Sequence, residues 1–361
     1  MDESEYARIC SLATYPLRDD ALTSRRGHAD AARDAPLSVS EETFAVIKRQ
    51  AEHRRLRAEL RLHRQDKMLR QYLARLGDLN APLGAVEDGG AGSGADRKQK
   101  KSKAKAARES LCGIAAAADF SPCMLARVLL EAKYGWSKTT IANVFKEALA
   151  AADSAEANAR GLGAREYAQV LREVKECIDR DALCSPLADR IRHNLGVEYE
   201  YVLLETLRNR RLVFESEDVL REKGLAKTPD VRLLLPVGVR DPRTGELRVV
   251  HWIDSKAMFG DRHTHESENA GQLQGYVNRF GPGMVIYWFG HVADLSSDRD
   301  VFITHEFPRE IELPGGLDPS TLTLGRDDPP LDEGVELALE PLDVATAFDS
   351  DWTPVSTVSV D

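Results

Sequence analysis

The chain has 361 residues, with 49 lysines and arginines against 59 aspartates and glutamates, and a net charge of −10 at pH 7. This length allows two or three domains with sizeable cores, and no apolar run approaches the ~20 residues of a membrane-spanning helix, so a membrane protein is not expected. The acidic start does not resemble a signal peptide, and the five cysteines lack the Cys-x-x-Cys spacing of a zinc site or disulfide framework, which fits a reducing compartment.

Residues 1–80 are predicted to be mainly helical and to contain a basic helix. Between residues 48 and 75 there are ten lysines and arginines against three acids, and apolar residues recur there at helical spacing. A basic helix of this kind can follow a phosphate backbone. The alternative is a solvated helix face that binds nothing.

Residues 81–108 have the composition of a flexible linker. A glycine-rich segment at 89–94 precedes a basic tract at 97–105. The tract predicts a nuclear-localisation signal or a non-specific nucleic-acid contact, and chance linker charge is the alternative. On the first interpretation, we expect the protein in the nucleus and the cytoplasm.

Residues 109–183 are predicted to form a helical domain. Ser121 suits an N-cap and Pro122 suits the first position of a helix that follows a turn. This stretch resembles a helix-turn-helix module of the AraC/XylS type. In such a module Arg127 and Lys133 could contact phosphate, and we take both as candidate nucleic-acid-binding residues. A purely structural helix pair is the alternative, because the sequence does not show a recognition helix that enters a DNA groove.

Residues 184–310 are predicted to form an α/β core with a mixed, mostly buried central sheet covered by helices. The predicted order is helix, three strands, helix, strand and a further edge strand. These elements are placed at 187–210, 212–214, 231–237, 248–254, 268–280, 284–289 and 301–304.

The most informative pattern is a predicted hairpin that brings three polar side chains together. A Pro-Asp pair that ends at Asp230 opens one strand, and the next strand ends in Asp254-Ser255-Lys256. The hairpin would bring Asp230 and Asp254 together, and the two-residue period of a strand puts Lys256 on the face of Asp254. Magnesium prefers oxygen ligands, neutralises a phosphodiester and acidifies a bound water, so two carboxylates suit it. Lys256 could orient the attacking water or stabilise the phosphorane.

Two flanking helices add further candidates. Upstream, Glu200 would complete an acidic cluster. Glu198 is the competing choice, and because a helix turns by about 100° per residue it lies on another face of the same helix. Downstream, Gln272 and Tyr276 are i,i+4 neighbours and share a helix face. Such a pair can contact DNA phosphate and the site lysine.

Taken together, these motifs resemble those of the PD-(D/E)XK nuclease superfamily in type and in order. The segments 227–230, 251–261 and 278–288 resemble more closely the codanin-interacting nuclease family, which is also known by its Thr-Pro-Asp motif, and the resemblance covers roughly 105–305. It implies helix-turn-helix modules before a restriction-endonuclease-like core that depends on Mg²⁺ or Mn²⁺. It also implies duplex or branched DNA as substrate and a codanin-like protein as partner. The implied catalytic residues are Asp230, Asp254, Lys256, Glu200 and Gln272; Asp230, Asp254 and Glu200 would bind the metal, and Tyr276 would contact nucleic acid.

Residues 311–361 are predicted to form an acidic, proline-containing and mostly disordered tail. From residue 326 onward there are ten acids and one base, so the tail carries most of the net negative charge. It is either a solubilising segment or an interaction segment that competes for a basic surface. The sequence as a whole predicts a metal-dependent DNA nuclease, with a catalytically weak scaffold of the same fold as the alternative.

Overall fold

A computed structural model describes residues 1–12, 39–80, 108–150, 161–295 and 298–316. The basic tract at 97–105, nearly all of the predicted linker, and the acidic tail from residue 317 onward lie outside the described residues. The described part contains ten α-helices and one five-stranded sheet.

The first three helices do not form a separate core. They are α1 (Glu3–Ser11), α2 (Glu41–His63) and α3 (Asp66–Leu76). Ser40 caps α2 by accepting a hydrogen bond from the Thr43 amide at 3.1 Å. Phe44 and Ile47 of α2 pack into the core of the sheet, whereas Leu56 packs into the core of the helical domain. Helix α2 therefore joins the two cores.

The helical domain buries the second helix of the predicted helix-turn-helix module. Its members are α4 (Leu111–Ala117), α5 (Pro122–Tyr134), α6 (Lys138–Leu149) and α7 (Ala164–Arg180). Helices α4 and α5 meet at 117°, an angle typical of this motif. Every residue from 122 to 130 is buried, so α5 is the central helix of the domain. In this structure α5 cannot enter a DNA groove.

None of the described helices, taken singly, is both long and apolar enough to span a bilayer. The bent pair α4–α5 has the length and composition for it, and most of its residues lie inside the helical core.

The remaining elements form the α/β core. In chain order they are α8 (Pro186–Asn209), β1 (Phe214–Ser216), α9 (Glu217–Glu222), β2 (Val231–Arg240), β3 (Leu247–Lys256), a π-helical turn (Thr264–Asn269) that leads into α10 (Ala270–Phe280), β4 (Gly283–Tyr287), β5 (Val301–Thr304) and a 3-10 turn (Pro314–Gly316).

The sheet is mixed, as predicted. Strands β1, β2 and β3 pair antiparallel, and β3, β4 and β5 pair parallel, in the spatial order β1-β2-β3-β4-β5. The β2–β3 hairpin is longer than predicted because residues 238–240 also pair with 247–249. Beyond residue 310, Glu312 still pairs with Gly238 and Leu313 is buried, so the core continues past the predicted boundary.

Each face of the sheet has its own hydrophobic core. Trp252 and Tyr287 lie on the face covered by α10, α1 and the start of α2, and Ile253 and Ile286 lie on the face covered by α8. The Trp252 ring lies directly over the first residue of β4, Gly283, where a Cβ atom would be only 2.1 Å from the ring. Only glycine fits there, so the tryptophan can pack flat against the β4 backbone.

Candidate active site

The hairpin between β2 and β3 brings Asp230, Asp254 and Lys256 together. Val231 pairs with Ile253, which places Asp230 opposite Asp254. Asp230 Oδ2 accepts a hydrogen bond from the Ser255 amide at 2.6 Å, and Lys256 Nζ lies 2.8 Å from Asp254 Oδ2. The Ser255 side chain points to the other face, where its hydroxyl accepts a hydrogen bond from an indole N–H. The strand period thus produces the convergence that the sequence predicts.

Asp254 has the most unusual environment of the three. Its side chain is only 1% exposed. Lys256 Nζ forms an ion pair with Oδ2, and apart from Lys256 neither Asp254 oxygen has a hydrogen-bond partner among the described residues. A buried carboxylate normally accepts several hydrogen bonds. Asp254 therefore retains unused acceptor capacity in the middle of the site.

Acidic side chains crowd together around this residue. Burial raises the pKa of Asp230, and the Asp254 and Glu200 carboxylates raise it further, while Lys256 and the Ser255 amide oppose the shift. Burial, followed by repulsion from Glu217 and Asp254, raises the pKa of Glu200 to about 7. Glu200 is exposed to solvent, so water screens part of that repulsion. A cation would relieve the crowding.

The structure distinguishes the two glutamates that the sequence left open. Glu200 interacts electrostatically with Asp230, Asp254 and Lys256. Both glutamates are exposed, but Glu198 interacts with the Tyr199 hydroxyl. Glu200 is therefore the glutamate on the site's side of α8.

Lys256 is held by groups on three elements. Burial alone would lower its pKa, but the neighbouring Asp254 and Asp230 carboxylates outweigh burial and raise it. Gln272 Oε1 of α10 accepts a hydrogen bond from Lys256 Nζ at 3.3 Å, and Gln272 is also hydrogen-bonded to the Tyr276 hydroxyl. The ammonium is thus fixed in position by the strand on one side and by α10 on the other.

The position of Tyr276 does not fit its predicted contact with nucleic acid. Its side chain is 1% exposed, and its ring meets Trp252 edge-on with 5.2 Å between centroids. The reason is its helical position, which points the ring down into the sheet core. In this structure Tyr276 orients Gln272 and has no surface to offer to DNA.

Arg127 and Lys133 also have structural contacts in place of the predicted phosphate contacts. Arg127 is 7% exposed, donates a hydrogen bond to the Cys184 carbonyl at 3.3 Å and lies 4.5 Å from the centroid of the Phe145 ring. Lys133 Nζ donates to the carbonyl of Gly77 at 2.7 Å, at the C-terminal end of α3. Both side chains join helices, and Arg127 is too deeply buried to reach a phosphate.

The sequence analysis missed Glu217, the first residue of α9. Its amide donates to the Asp230 carbonyl at 2.9 Å, and its carboxylate accepts hydrogen bonds from Thr228 at 3.1 Å and Arg221 at 2.9 Å. It is also the largest source of repulsion on Glu200. An acid in the first turn of a helix that directly follows a strand was the available signal.

The residues present fit a hard divalent cation. Asp230 and Asp254 offer adjacent carboxylates, two of whose oxygens have no hydrogen-bond partner among the described residues. In those same residues, no group of three or more His, Cys, Asp and Glu side chains has metal-binding geometry. Two carboxylates are enough for magnesium, which keeps several waters. Glu200 as a third ligand stays a prediction.

Comparisons with known proteins identify the family of the chain. Residues 166–307 match the family model described as "Protein of unknown function TPD sequence-motif", and this segment contains Thr228-Pro229-Asp230. Three relatives are named CDAN1-interacting nuclease 1. The protein from Danio rerio is 34% identical over 60% of this chain and 68% of its own length. The protein from Homo sapiens is 35% identical over 56% of this chain and 67% of its own length. The protein from Mus musculus is 36% identical over 54% of this chain and 64% of its own length. The chain belongs to the CDAN1-interacting nuclease family.

The family match and the acidic site coincide. The segment matched by the family model contains all five predicted catalytic residues and Glu217. About a third of each of these relatives lies outside the match. No solved structure matches the chain significantly.

Proposed function

We propose that this chain is a divalent-metal-dependent nuclease of the PD-(D/E)XK type that hydrolyses DNA phosphodiester bonds. The observation that carries the proposal is Asp254, a buried carboxylate without a hydrogen-bond partner among the described residues, which lies opposite Asp230 and beside Lys256. Asp230 and Asp254 with the single ammonium of Lys256 leave a net negative charge in the site, and a further cation would offset its cost. The names of the relatives support nuclease chemistry.

Asp230 and Asp254 would hold Mg²⁺ or Mn²⁺, which when bound would neutralise a phosphate oxygen and acidify a water. The Ser255 amide fixes the Asp230 carboxylate, so this ligand is oriented before the ion arrives. Lys256 is held by Asp254 and Gln272 and has three donors. It is placed to donate to a phosphate oxygen or to the attacking water.

The proposal includes a partner and a location. The relatives' names state an interaction with CDAN1, so we propose a codanin-like partner for this chain. A nuclear and cytoplasmic location rests on the basic tract at 97–105, which lies outside the described residues.

A panel of duplex, single-stranded, flap and junction DNAs, incubated with Mg²⁺, tests the function. The wild type should cleave at least one of them, and EDTA or Asp254→Asn should abolish that cleavage. Glu200→Gln should weaken it, whereas Glu198→Gln, two residues away on the same helix, is the matched control and should behave like the wild type. Cleavage that survives both EDTA and Asp254→Asn would overturn the proposal, and a folded wild type that cleaves nothing would favour the scaffold alternative.

A further inference from the structure

A rim of basic side chains lies beside the acidic site, where the start of β2 meets the end of α10. Arg232 of β2 and Arg279 of α10 both lie over the Phe280 ring, with 5.6 and 5.9 Å from their guanidinium carbons to the ring centroid. Arg279 also donates a hydrogen bond to the Ala226 carbonyl, and Lys227 is the next residue along the chain. Lys227, Arg232 and Arg279 thus come from three segments in contact, and together they form the basic rim.

The basic rim and the acidic site share one face of the sheet. Arg232 is two residues after Asp230, and side chains two apart along a strand point to the same face, about 7 Å from each other. Arg232 also pairs with Trp252, which is two residues before Asp254 on β3. Asp230 is less deeply buried than Asp254. Solvent therefore reaches the site from its Asp230 side, where the rim lies.

Helix α10 connects the two regions. Near its start, Gln272 accepts the hydrogen bond from Lys256 at 3.3 Å, and at its end Phe280 lies under Arg232. The two α10 residues are eight positions apart, which is about 12 Å of helix, and they lie on the same side of it. One helix therefore runs from the site lysine to the basic rim.

Positive charge exceeds negative charge in the contacts of the basic rim. Glu215 of β1 pairs with Arg232 at 3.3 Å and also with Lys223, so two cations share one carboxylate. Arg279 donates to a neutral carbonyl, and within the part of the chain that the structure describes neither it nor Lys227 forms an ion pair. Both of these side chains are exposed. An anion that approaches the site from this side is therefore attracted.

Lys227 has a backbone conformation that lysine rarely adopts. Its φ is +56°, in the left-handed region that is sterically unfavourable for a residue with a Cβ atom. The residues on either side are held in place, because Thr228 donates to Glu217 at 3.1 Å and Ala226 accepts from Arg279. Since the Lys227 side chain is exposed, packing does not explain why a lysine stands where glycine would fit better. Strain of this kind is typical of functional segments.

We propose that Lys227, Arg232 and Arg279 bind the phosphates that flank the scissile bond and so position the substrate strand. The planar fork of arginine can donate two hydrogen bonds to a phosphate, and the lysine ammonium acts as a point charge. The step of about 7 Å from Asp230 to Arg232 corresponds to about two phosphates of a duplex strand at ~3.4 Å each. The proposal rests on the proposed function for the identity of the anion as DNA.

DNA binding without cleavage tests the basic rim. Fluorescence anisotropy of a labelled duplex, and of the matching single strand, is measured in EDTA over a range of salt concentrations. Lys227→Gln/Arg279→Gln should raise the Kd for the duplex about 10-fold or more and reduce the slope of log K against log salt by about two, because two phosphate contacts are lost.

The matched control is Arg240→Gln/Arg243→Gln. It removes the same charge from the far end of the β2–β3 hairpin, where both arginines form exposed ion pairs. Its Kd should stay within about 2-fold of the wild type, since these side chains lie away from the site. Equal effects of the two double variants would overturn the proposal, and so would a wild type that binds neither DNA.

A merely structural role for Arg279 predicts a different result. Arg279 joins α10 to the segment before Asp230, so on that account its loss would displace a metal ligand. If it binds phosphate, Arg279→Lys should keep most of the DNA affinity, and Arg279→Gln should bind Mg²⁺ as the wild type does in a calorimetric titration. Weakened Mg²⁺ binding together with an unchanged salt slope would contradict the phosphate contact.

Lys227→Gly separates the charge from the backbone. Glycine adopts positive φ freely, so the Tm of this variant should equal or exceed that of the wild type. Its DNA affinity should nevertheless fall, and its salt slope should decrease by about one. A folded Lys227→Gly with the Kd and slope of the wild type would contradict the proposal for this residue.

Failure of this inference can be told apart from failure of the proposed function. A protein that binds DNA through the basic rim but cleaves none retains the inference and loses the nuclease. A protein that cleaves DNA, with Kd and salt slope indifferent to the rim substitutions, retains the nuclease and loses the inference.

Discussion

At the scale of single residues, the crowded carboxylates of the proposed metal site lower the stability of the fold. Asp230 needs only an acceptor for the Ser255 amide, which an amide side chain would also provide. Its negative charge is buried next to Asp254 and raises the free energy of the folded state. The Lys256 ammonium offsets part of this cost, and a bound cation would offset more of it.

Asp230→Asn should therefore stabilise the metal-free protein while lowering cleavage about 100-fold or more, since a metal ligand contributes several kcal/mol. Because the folded-state pKa of Asp230 is raised above the ordinary value of 3.8, the ionised form destabilises the fold at higher pH and not below that value. The Tm advantage of the variant in EDTA should grow as the pH rises from 3.8 through the raised pKa. An advantage that is largest in acid would contradict this account.

Mg²⁺ should affect the thermal stability of the wild type and of Asp230→Asn to different extents. Mg²⁺ should raise the Tm of the wild type and have a smaller effect on Asp230→Asn, because binding to the folded state stabilises it by mass action. Calorimetric titration measures the same difference directly. Equal metal affinity in both proteins would remove Asp230 from the ligand set.

Tyr276 allows a test of its corrected role. Tyr276→Phe keeps the ring against Trp252 and removes only the hydroxyl that meets Gln272. We expect cleavage to fall by roughly 3- to 30-fold, since one neutral hydrogen bond contributes about 1 kcal/mol and its loss also loosens the orientation of Gln272. The DNA dissociation constant should stay unchanged, and a weaker Kd with unaltered turnover would restore the predicted DNA contact.

At the scale of elements, a buried ion pair contributes to the docking of α2 onto the segment after β3. The Asp261 side chain is 2% exposed, and Arg54 is its cationic partner at 2.6 Å. Thr264 adds hydrogen bonds to the same carboxylate. The segment that follows Lys256 is thereby tied to a helix two hundred residues earlier in the chain.

Arg54→Met should cost about 2–3 kcal/mol in unfolding by urea, because it leaves a buried carboxylate without its cation. Arg64→Met is the matched control, since its pair with Glu131 is exposed, and it should cost less than about 1 kcal/mol. The double variant Arg54→Met/Asp261→Asn should recover most of the lost free energy of unfolding, which a double-mutant cycle measures. Additive effects of the two substitutions would mean that the pair contributes nothing.

The same elements show what the sequence can and cannot predict. Asp230, Asp254 and Lys256 follow from local rules, namely a hairpin and a two-residue period, so their convergence and the mixed sheet were predictable. Pairs such as Arg54–Asp261 are separated by 207 residues, and no local pattern signals them. The burial of Arg127 could not be predicted for a related reason. A basic residue in a helix has the same sequence signature whether it faces solvent or a neighbouring ring.

At the scale of the whole molecule, α2 makes the helical domain and the sheet depend on each other. Ile47 is 1% exposed in the core of the sheet, and Leu56 is 0% exposed in the helical core. Both lie on one continuous helix. Loosening either end removes support from the other core.

Ile47→Ala and Leu56→Ala should each cost about 2–5 kcal/mol, as expected for buried aliphatic side chains. Because the helix is shared, hydrogen exchange should report faster opening in both cores for each variant. The measurement follows amides of β3 and of α5 in the same sample. Destabilisation confined to one core per variant would show that the two bodies unfold independently.

The contact between Trp252 and Gly283 has a consequence for the history of the family. Since any side chain at position 283 would collide with the indole, neither residue can be exchanged alone without damage to the strands that carry the site. We expect the two positions to vary as a unit among descendants of a common ancestor, with a larger residue at 283 found only where a smaller one has replaced the tryptophan.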